Sequence, residues 1–410
     1  MGSAPQEDTY VLPEATAPSL VLTHPTEAEK SRTWTLNHRE WGGVLTLEDY
    51  LKREPFLATI PLSGDGGMTH WILTDSTWPA EKGTDRPVLA SCESISKRIL
   101  AAAPGDPVVR DGIGHGVGSV FTYPEFRGNG YAGRMLNEIG TSLRKWQGED
   151  QGSRKVLCSA LWSDIGKAYY AKKGWAAFPS LHVEFPVSAN QLQGGEESEK
   201  AKGKVLPVTR GNLEELCVRD EQLLREQLLR KARETGRTSV AFAPDHDTLL
   251  WHLHRDEFIT SILFRSHPQQ SGVYSSIKGA LAGTQEGHRV WAVWSRNYYG
   301  GSKTPTDNID KNTLYILRLV VESEGEHLGE DVVEAFKAVM RTALREAGVW
   351  HLGKLDMWNP SPAVKKLVEL SGLQHRWVER DAESIPSMMW YGAEDSREIE
   401  WVANEKYCWC

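Results

Sequence analysis

Six consecutive residues, Arg127-Gly128-Asn129-Gly130-Tyr131-Ala132, form the stretch of this 410-residue chain best suited to hold an anion. They stand between a strand-forming run at 116–123 and an apolar stripe at helical spacing, Tyr131, Met135, Leu136, Ile139, Leu143 and Trp146, so the pattern predicts a glycine turn that opens a helix. Unpaired N–H groups at a helix N-terminus, reinforced by the macrodipole, suit a diphosphate. Gly128 and Gly130 let the backbone come close to phosphate oxygens, and Arg127 adds a charge-assisted contact. The turn lacks the third glycine and the downstream acid of a dinucleotide fingerprint, and also the Gly-Lys-Ser/Thr of a Walker A loop. A β-to-α turn with no ligand is the competing reading.

The elements that must position this turn read as an α/β unit, a mixed sheet with helices. Helices are predicted over 26–37 and 46–56, strands over 71–73, 88–95 and 116–123, the helix from Tyr131, and a strand over 155–162 that is apolar on both faces. A short helix over 164–173 stops at Gly174, and 175–185 returns as strand. Polar, charged residues over 188–205 predict a linker between a unit at 1–187 and a second at 206–410. In the second unit, helices at 212–235 and 245–264 read as connectors or covers. The order strand, long helix, strand, short helix ending in glycine, strand then recurs over 314–391. This copy has no Arg-Gly-x-Gly-x-Ala, so any phosphate site belongs to the first unit.

On these residues the chain resembles the GNAT acyltransferase superfamily. Arg127-Gly128-Asn129-Gly130-Tyr131-Ala132 is similar to its acetyl-CoA signature, and Ala168-Tyr169-Tyr170-Ala171-Lys172-Lys173-Gly174-Trp175 to its later helix ending in Gly-Phe/Trp. More narrowly, Trp41-Gly42, Tyr50-Leu51-Lys52-Arg53-Glu54, Ser91-Cys92-Glu93, Ser119-Val120-Phe121, Ser163-Asp164-Ile165-Gly166, Trp251-His252 and the Cys-ending tail resemble the fungal L-lysine N6-acetyltransferase family. The resemblance implies a GNAT fold followed by a degenerate GNAT-like C-terminal domain. It implies acetyl-CoA as cosubstrate and a small-molecule amine as acceptor, with the ε-amine of free lysine first and a polyamine or an amino-bearing metabolite second. It further implies that Val120, Phe121 and Thr122 pair with pantetheine, that residues 127–132 hold the phosphates, and that Tyr170 protonates the departing thiolate, with Tyr169 as the rival tyrosine. A non-catalytic acyl-CoA sensor is the reading from a different class.

A lysine ε-ammonium must lose a proton before it attacks a thioester. Three groups are candidate bases: Glu93 acting through water, His115, read as a surface histidine, and the carboxylate of Cys410, since some multi-domain GNAT enzymes use their own C-terminus and Tyr407-Cys408-Trp409-Cys410 is apolar. His252 and His254 diverge on a helix, so no metal site is expected. Tryptophans near predicted strands, among them Trp162, Trp175, Trp294, Trp358 and Trp390, read as core with some lining a slot for an aliphatic stem. The formal net charge of -8 argues against a nucleic-acid or anionic-membrane partner. Five cysteines without paired spacings, and no basic-then-apolar leader, point to a reducing compartment, the cytoplasm by default.

Overall fold

The computed structural model describes residues 11–78, 86–148, 154–187, 205–264, 276–299, 309–323 and 328–409. Two mixed sheets carry the fold. The first comprises β1 (Leu20–Thr23), β2 (Met68–Asp75), β3 (Ala90–Ala102), β4 (Arg110–Phe121), β5 (Val156–Ser163), β6 (Ala176–Ala177) and β15 (Ile385–Trp390), in the order β1-β2-β3-β4-β5-β15-β6. Beside it, β9 (Ser239–Phe242) pairs with β3, and β16 (Glu400–Trp401) with β9. The second sheet takes β7 (Leu181–Pro186), β8 (Val205–Val208), β10 (Gly279–Ala282), β11 (Val290–Asn297), β12 (Thr313–Val321), β13 (Lys354–Trp358) and β14 (Arg376–Glu379), in the order β14-β7-β13-β12-β11-β10-β8.

Eight α-helices pack around the sheets among the described residues: α1 (Glu27–Trp41), α2 (Leu47–Leu57), α3 (Tyr131–Ser142), α4 (Ala168–Ala171), α5 (Arg210–Thr235), α6 (His246–Leu263), α7 (Glu330–Val349) and α8 (Pro362–Ser371). Local chemistry sets their starts. Thr26 and Glu29 form a capping box on α1, and Thr46 accepts from the Asp49 N–H to start α2. The predicted stripe of α3 packs into the first sheet, with Met135, Leu136, Ile139 and Leu143 fully buried, each stabilising the fold by about 1.5–3 kcal/mol. None of these helices is long and apolar enough to cross a membrane.

The repeated order is present: β4, α3, β5, α4 in one sheet and β12, α7, β13, α8 in the other. Its last strands, however, change places. β7 pairs antiparallel with β13 of the second sheet, and β15 pairs antiparallel with β5 of the first. The strand predicted over 175–185 is thus divided, and only the two residues of β6 stay in the first sheet, where they pair with β15. Phe178 still donates to Pro386 O at 2.8 Å, but Pro179 has no N–H to continue the ladder, and the chain leaves for the other sheet. The 188–205 linker lies outside the described residues except for Val205, which opens β8. A core cluster that includes Ile99, Cys158 and Trp162 with Leu317, Val320 and Trp358 binds the two sheets together.

Candidate active site

Two parallel strands that part company make the site. β4 and β5 pair from Ile113↔Val156 to Gly116↔Ala160 and then separate, so from Val117 to Phe121 the edge of β4 that faced β5 has no strand beside it among the described residues. The register between β3 and β4 also slips between Ser91 and Glu93, and Ser119 sits at φ 52°, a left-handed conformation that a serine rarely adopts. That kink aims the Ser119 hydroxyl at Glu93 Oε2, 3.0 Å away. The gap opens into a cavity of about 1140 Å³ lined by Val120, Phe121, Thr122, Arg127, Ala132, Glu93, Tyr169 and Tyr170, and closed from the other side by residues of the C-terminal half.

At one end is the glycine turn. Gly128 (φ 86°) and Gly130 (φ 81°) both lie in the left-handed region, and Gly130 is the N-cap of α3. A Cβ on Gly128 would meet nothing within 4 Å, so backbone conformation, not crowding by protein atoms, is what calls for glycine there. Helix geometry leaves the N–H groups of Tyr131, Ala132 and Gly133 without an intrahelical partner, and no acid stands in the first turn of α3. Arg127 is exposed; its Nε donates to Thr122 O at 3.0 Å, which pins the turn to β4. Asn129 Nδ2 closes the turn onto Phe126 O at 3.1 Å. The Tyr131 ring is core, its hydroxyl donating to Pro13 O, so only its backbone can serve a ligand. A cation not expected from the sequence joins them: a Cβ built on Gly133 would lie 3.2 Å from Lys173 Nζ. Free N–H groups, a left-handed glycine pair, two nearby cations and an open strand edge together fit a phosphate-bearing cosubstrate with a peptide-like arm.

Around the reacting centre, Tyr170 is buried at the cavity wall, with Tyr169 edge-on to it at 5.3 Å. Burial, with Tyr169 and Asp164 nearby, pushes the Tyr170 phenol well above its ordinary value, so it stays protonated. Glu93 faces His70 Nε2 at 3.3 Å as well as Ser119. Burial alone would raise the Glu93 carboxyl, but His70 and the Ser119 hydroxyl outweigh it and hold the group below the usual carboxylate range. Glu54 moves the other way, pushed up by burial and by Glu93, with Arg53 opposing. Arg53 Nε donates to Glu54 Oε1 at 2.8 Å and packs over the Tyr50 ring.

His115 does not reach this chemistry. It is fully buried, its Nε2 lies 3.1 Å from Trp146 O, and burial pushes its pKa down to about 4, which corrects the expectation of a surface group and removes it as a base. It is not among the cavity's lining residues. Cys410 lies outside the described residues, while the tail up to it is docked. Tyr407 and Cys408 are buried, His252 Nε2 lies 2.9 Å from Tyr407 O, and Lys97 Nζ donates to the carbonyls of Cys408 (2.9 Å) and Trp409 (3.1 Å). His252 is thus a clasp for the tail. α6 is more than the cover expected, since Trp251 and Arg255 line the cavity, as do Trp162, Lys406 and Trp409. Elsewhere His182, Glu184 and Asp356 bring ligand atoms within 4.8 Å of one another, but Lys354 (3.0 Å) and Arg376 (2.8 Å) already answer Glu184.

Sequence reasoning gave no role to Tyr50, Arg53, Glu54, His70, Lys173, Arg255 or Lys406. The signal for several was present, since Tyr50–Glu54, Trp251-His252 and the tail were among the segments carrying the resemblance.

Residues 182–410 match the family described as LYC1 GNAT-like C-terminal domain, a match that starts within β7, the first strand given to the second sheet. The uncharacterized protein YGR111W of Saccharomyces cerevisiae is 24% identical over 92% of this chain and 95% of its own length. A lysine acetyltransferase of Yarrowia lipolytica is 23% identical over 95% of this chain and 99% of its own. Among solved structures, a conserved protein of unknown function and probable N-acyltransferase from Enterococcus faecalis V583 is similar in fold, with a TM-score of 0.50, 12% identity, and coverage of 90% of this chain and 71% of that one.

Proposed function

The chain belongs to the family of the LYC1 GNAT-like C-terminal domain, an acetyl-transferring enzyme with acyl-CoA as cosubstrate, and from that premise we propose that it acetylates the ε-amine of free L-lysine. The observation that carries this reading is the cavity at the β4–β5 gap, lined by Arg127 and Ala132 at the ends of the glycine turn and by Glu93 and Tyr170. The likeness to the Yarrowia lysine acetyltransferase over nearly the whole chain supports the choice of acceptor.

Gly128, Gly130 and the first turn of α3 hold the phosphates, with Arg127 and Lys173 at their flanks, and the open edge of β4 at Val120–Thr122 pairs with the pantetheine arm as an added strand would. A backbone N–H of that edge polarises the thioester carbonyl. Glu93, ionised beside His70 and Ser119, draws in the acceptor's ammonium and takes its proton through water. The freed amine attacks the carbonyl carbon, the carbon–sulfur bond breaks, and the Tyr170 hydroxyl gives its proton to the departing thiolate, while the proton that the new amide nitrogen sheds restores the phenol through water. A phenol suits a thiolate better than a carboxylic acid does, because their proton affinities are closer.

Thiol release from acetyl-CoA, measured with and without L-lysine and followed by mass spectrometry of the product, tests the reading. Lysine-dependent release with one acetyl group on the ε-nitrogen is expected. Release with other amines but not lysine would discard the acceptor, and no release with any amine would discard turnover.

A further inference from the structure

Two basic side chains in the cavity form no ion pair among the described residues, with Glu54 acting on one and Asp164 and Asp356 on the other only at longer range. Arg255 comes from α6 and Lys406 from the tail, and both lie against the ring of Trp409, the guanidinium carbon 5.4 Å and the ammonium nitrogen 4.0 Å from its centre. All three line the cavity. Among the described residues, Arg255 makes a single hydrogen bond, from Nη1 to the neutral Asn297 Oδ1 at 3.1 Å. Lys406 Nζ is boxed by aromatic faces, with Tyr315 at 4.7 Å and Trp358 at 4.2 Å in addition to Trp409. No described carboxylate comes within 4.0 Å of either group, whereas the buried Arg53, Arg296 and Arg318 each have one. Burial and the charge of Arg255 hold the Lys406 ammonium well below its ordinary range. Arg380, 4.1 Å from the Trp358 ring, adds to the positive field without lining the cavity.

Burying unpaired charge is costly, and a cavity wall that does so is arranged for an anion that arrives from outside. Phosphates are provided for at the first turn of α3, which leaves two anions to consider for this wall, the acceptor's own and the carboxylate of Cys410, which lies outside the described residues. Aromatic faces surround Lys406, while Glu54 and Glu93, which also line the cavity, supply the opposite sign for amines. We propose that Arg255 and Lys406 bind the carboxylate of the acceptor, which makes the acceptor an amino acid and not a polyamine. This rests on the reading of the cavity as the acceptor site. It adds a specificity that the acetyl-transfer chemistry does not require.

Three acceptors with the same terminal amine test it on the whole protein: L-lysine, 6-aminohexanoate, which keeps the carboxylate and drops the α-amine, and 1,5-diaminopentane, which has no carboxylate. A site left with unpaired buried charge rejects the analogue that lacks the partner, so kcat/KM for the two carboxylates should exceed that for the diamine by about 100-fold. Arg255→Gln and Lys406→Met should raise KM for L-lysine at least about tenfold more than for the diamine. Calorimetric titration of L-lysine and of the diamine into CoA-saturated protein reads the same preference with no need for turnover or for a variant that folds.

Equal use and equal binding of the diamine and the carboxylates, or equal losses on both in the variants, would overturn the proposal and assign the two cations to holding the tail. Preference for carboxylate-bearing amines other than lysine would uphold the carboxylate site while removing lysine as the acceptor. Acetylation of the diamine alone would overturn the site and leave acetyl transfer standing.

Discussion

The two halves of the molecule repeat one topology and use its central gap in opposite ways. In the N-terminal copy β4 and β5 part after Gly116 and Ala160, and the space between them belongs to the large cavity. In the C-terminal copy β12 and β13 part after Ile316 and Met357, but the chain's own tail fills the space. The Leu319 N–H, on the freed edge of β12, donates to Glu405 Oε2 at 3.0 Å, and Asn359 Nδ2 donates to Asn404 O at 2.6 Å. Arg318 binds Glu405 and also Asp220 (2.7 Å), and a cavity of only about 230 Å³ remains there.

The helices that follow differ in the same sense. α3 starts at a left-handed Gly130 with no acid in its first turn, whereas α7 starts at Gly329 with φ -69° and carries Glu330 and Asp331 where a phosphate would have to sit. Tyr170 stands four residues before Gly174; four residues before Gly372 stands Val368, buried and without a proton to give. One fold thus opens once into the large cavity and serves once as a support that lends its partner a wall of that cavity.

The largest effect expected from this contrast is on turnover. Tyr170→Phe should lower kcat by about 10²–10³-fold with little change in acetyl-CoA affinity, since a positioned proton donor contributes on that scale; steady-state kinetics with calorimetry checks both halves, and unchanged turnover would move the acid elsewhere. Next is the glycine turn. Valine at Gly130 meets φ 81° and an Ala15 Cβ 3.2 Å from its own Cβ, so Gly130→Val should weaken acetyl-CoA binding by roughly tenfold or more, while Gly329→Ala in the other copy leaves it unchanged. Equal effects at the two glycines would break the comparison.

Removing the charge at Glu93 should act on proton transfer, with Glu93→Gln lowering kcat/KM about tenfold or more and acetyl-CoA affinity staying level in the same titration. The smallest effect concerns the plug. Burial pushes the Glu405 carboxyl up to about 7 against an ordinary value of 4.5, with Arg318 opposing, so its contribution to stability is full below 4.5 and is lost as pH rises through about 7. Glu405→Gln should flatten the fall in melting temperature over that window without removing it, because Glu346 is raised to about 7 in the same half.

Much of the N-terminal site was legible in sequence because it is local. A glycine turn, the helix stripe after it and a tyrosine four residues before a helix-ending glycine lie within 127–174, and short-range spacing reports short-range structure. The exchange of β7 and β15 was not legible, since apolar alternation tells which faces are buried and not which strand lies alongside. Arg255 and Lys406 escaped for a related reason. They are 151 residues apart and meet only across Trp409, and nothing in the composition of α6 separates a wall residue from a cover. His115 misled because a histidine just ahead of a predicted strand reads as exposed, whereas it lies within β4 and is fully buried.

The stoichiometry of acetyl-CoA binding, measured by calorimetry on the full chain and on Gly130→Val, tests the central claim most directly. One molecule per chain, with binding weakened or lost in the variant, is the result predicted for one open cleft and one filled by the tail. Two molecules per chain, or one whose affinity is indifferent to Gly130, would contradict it.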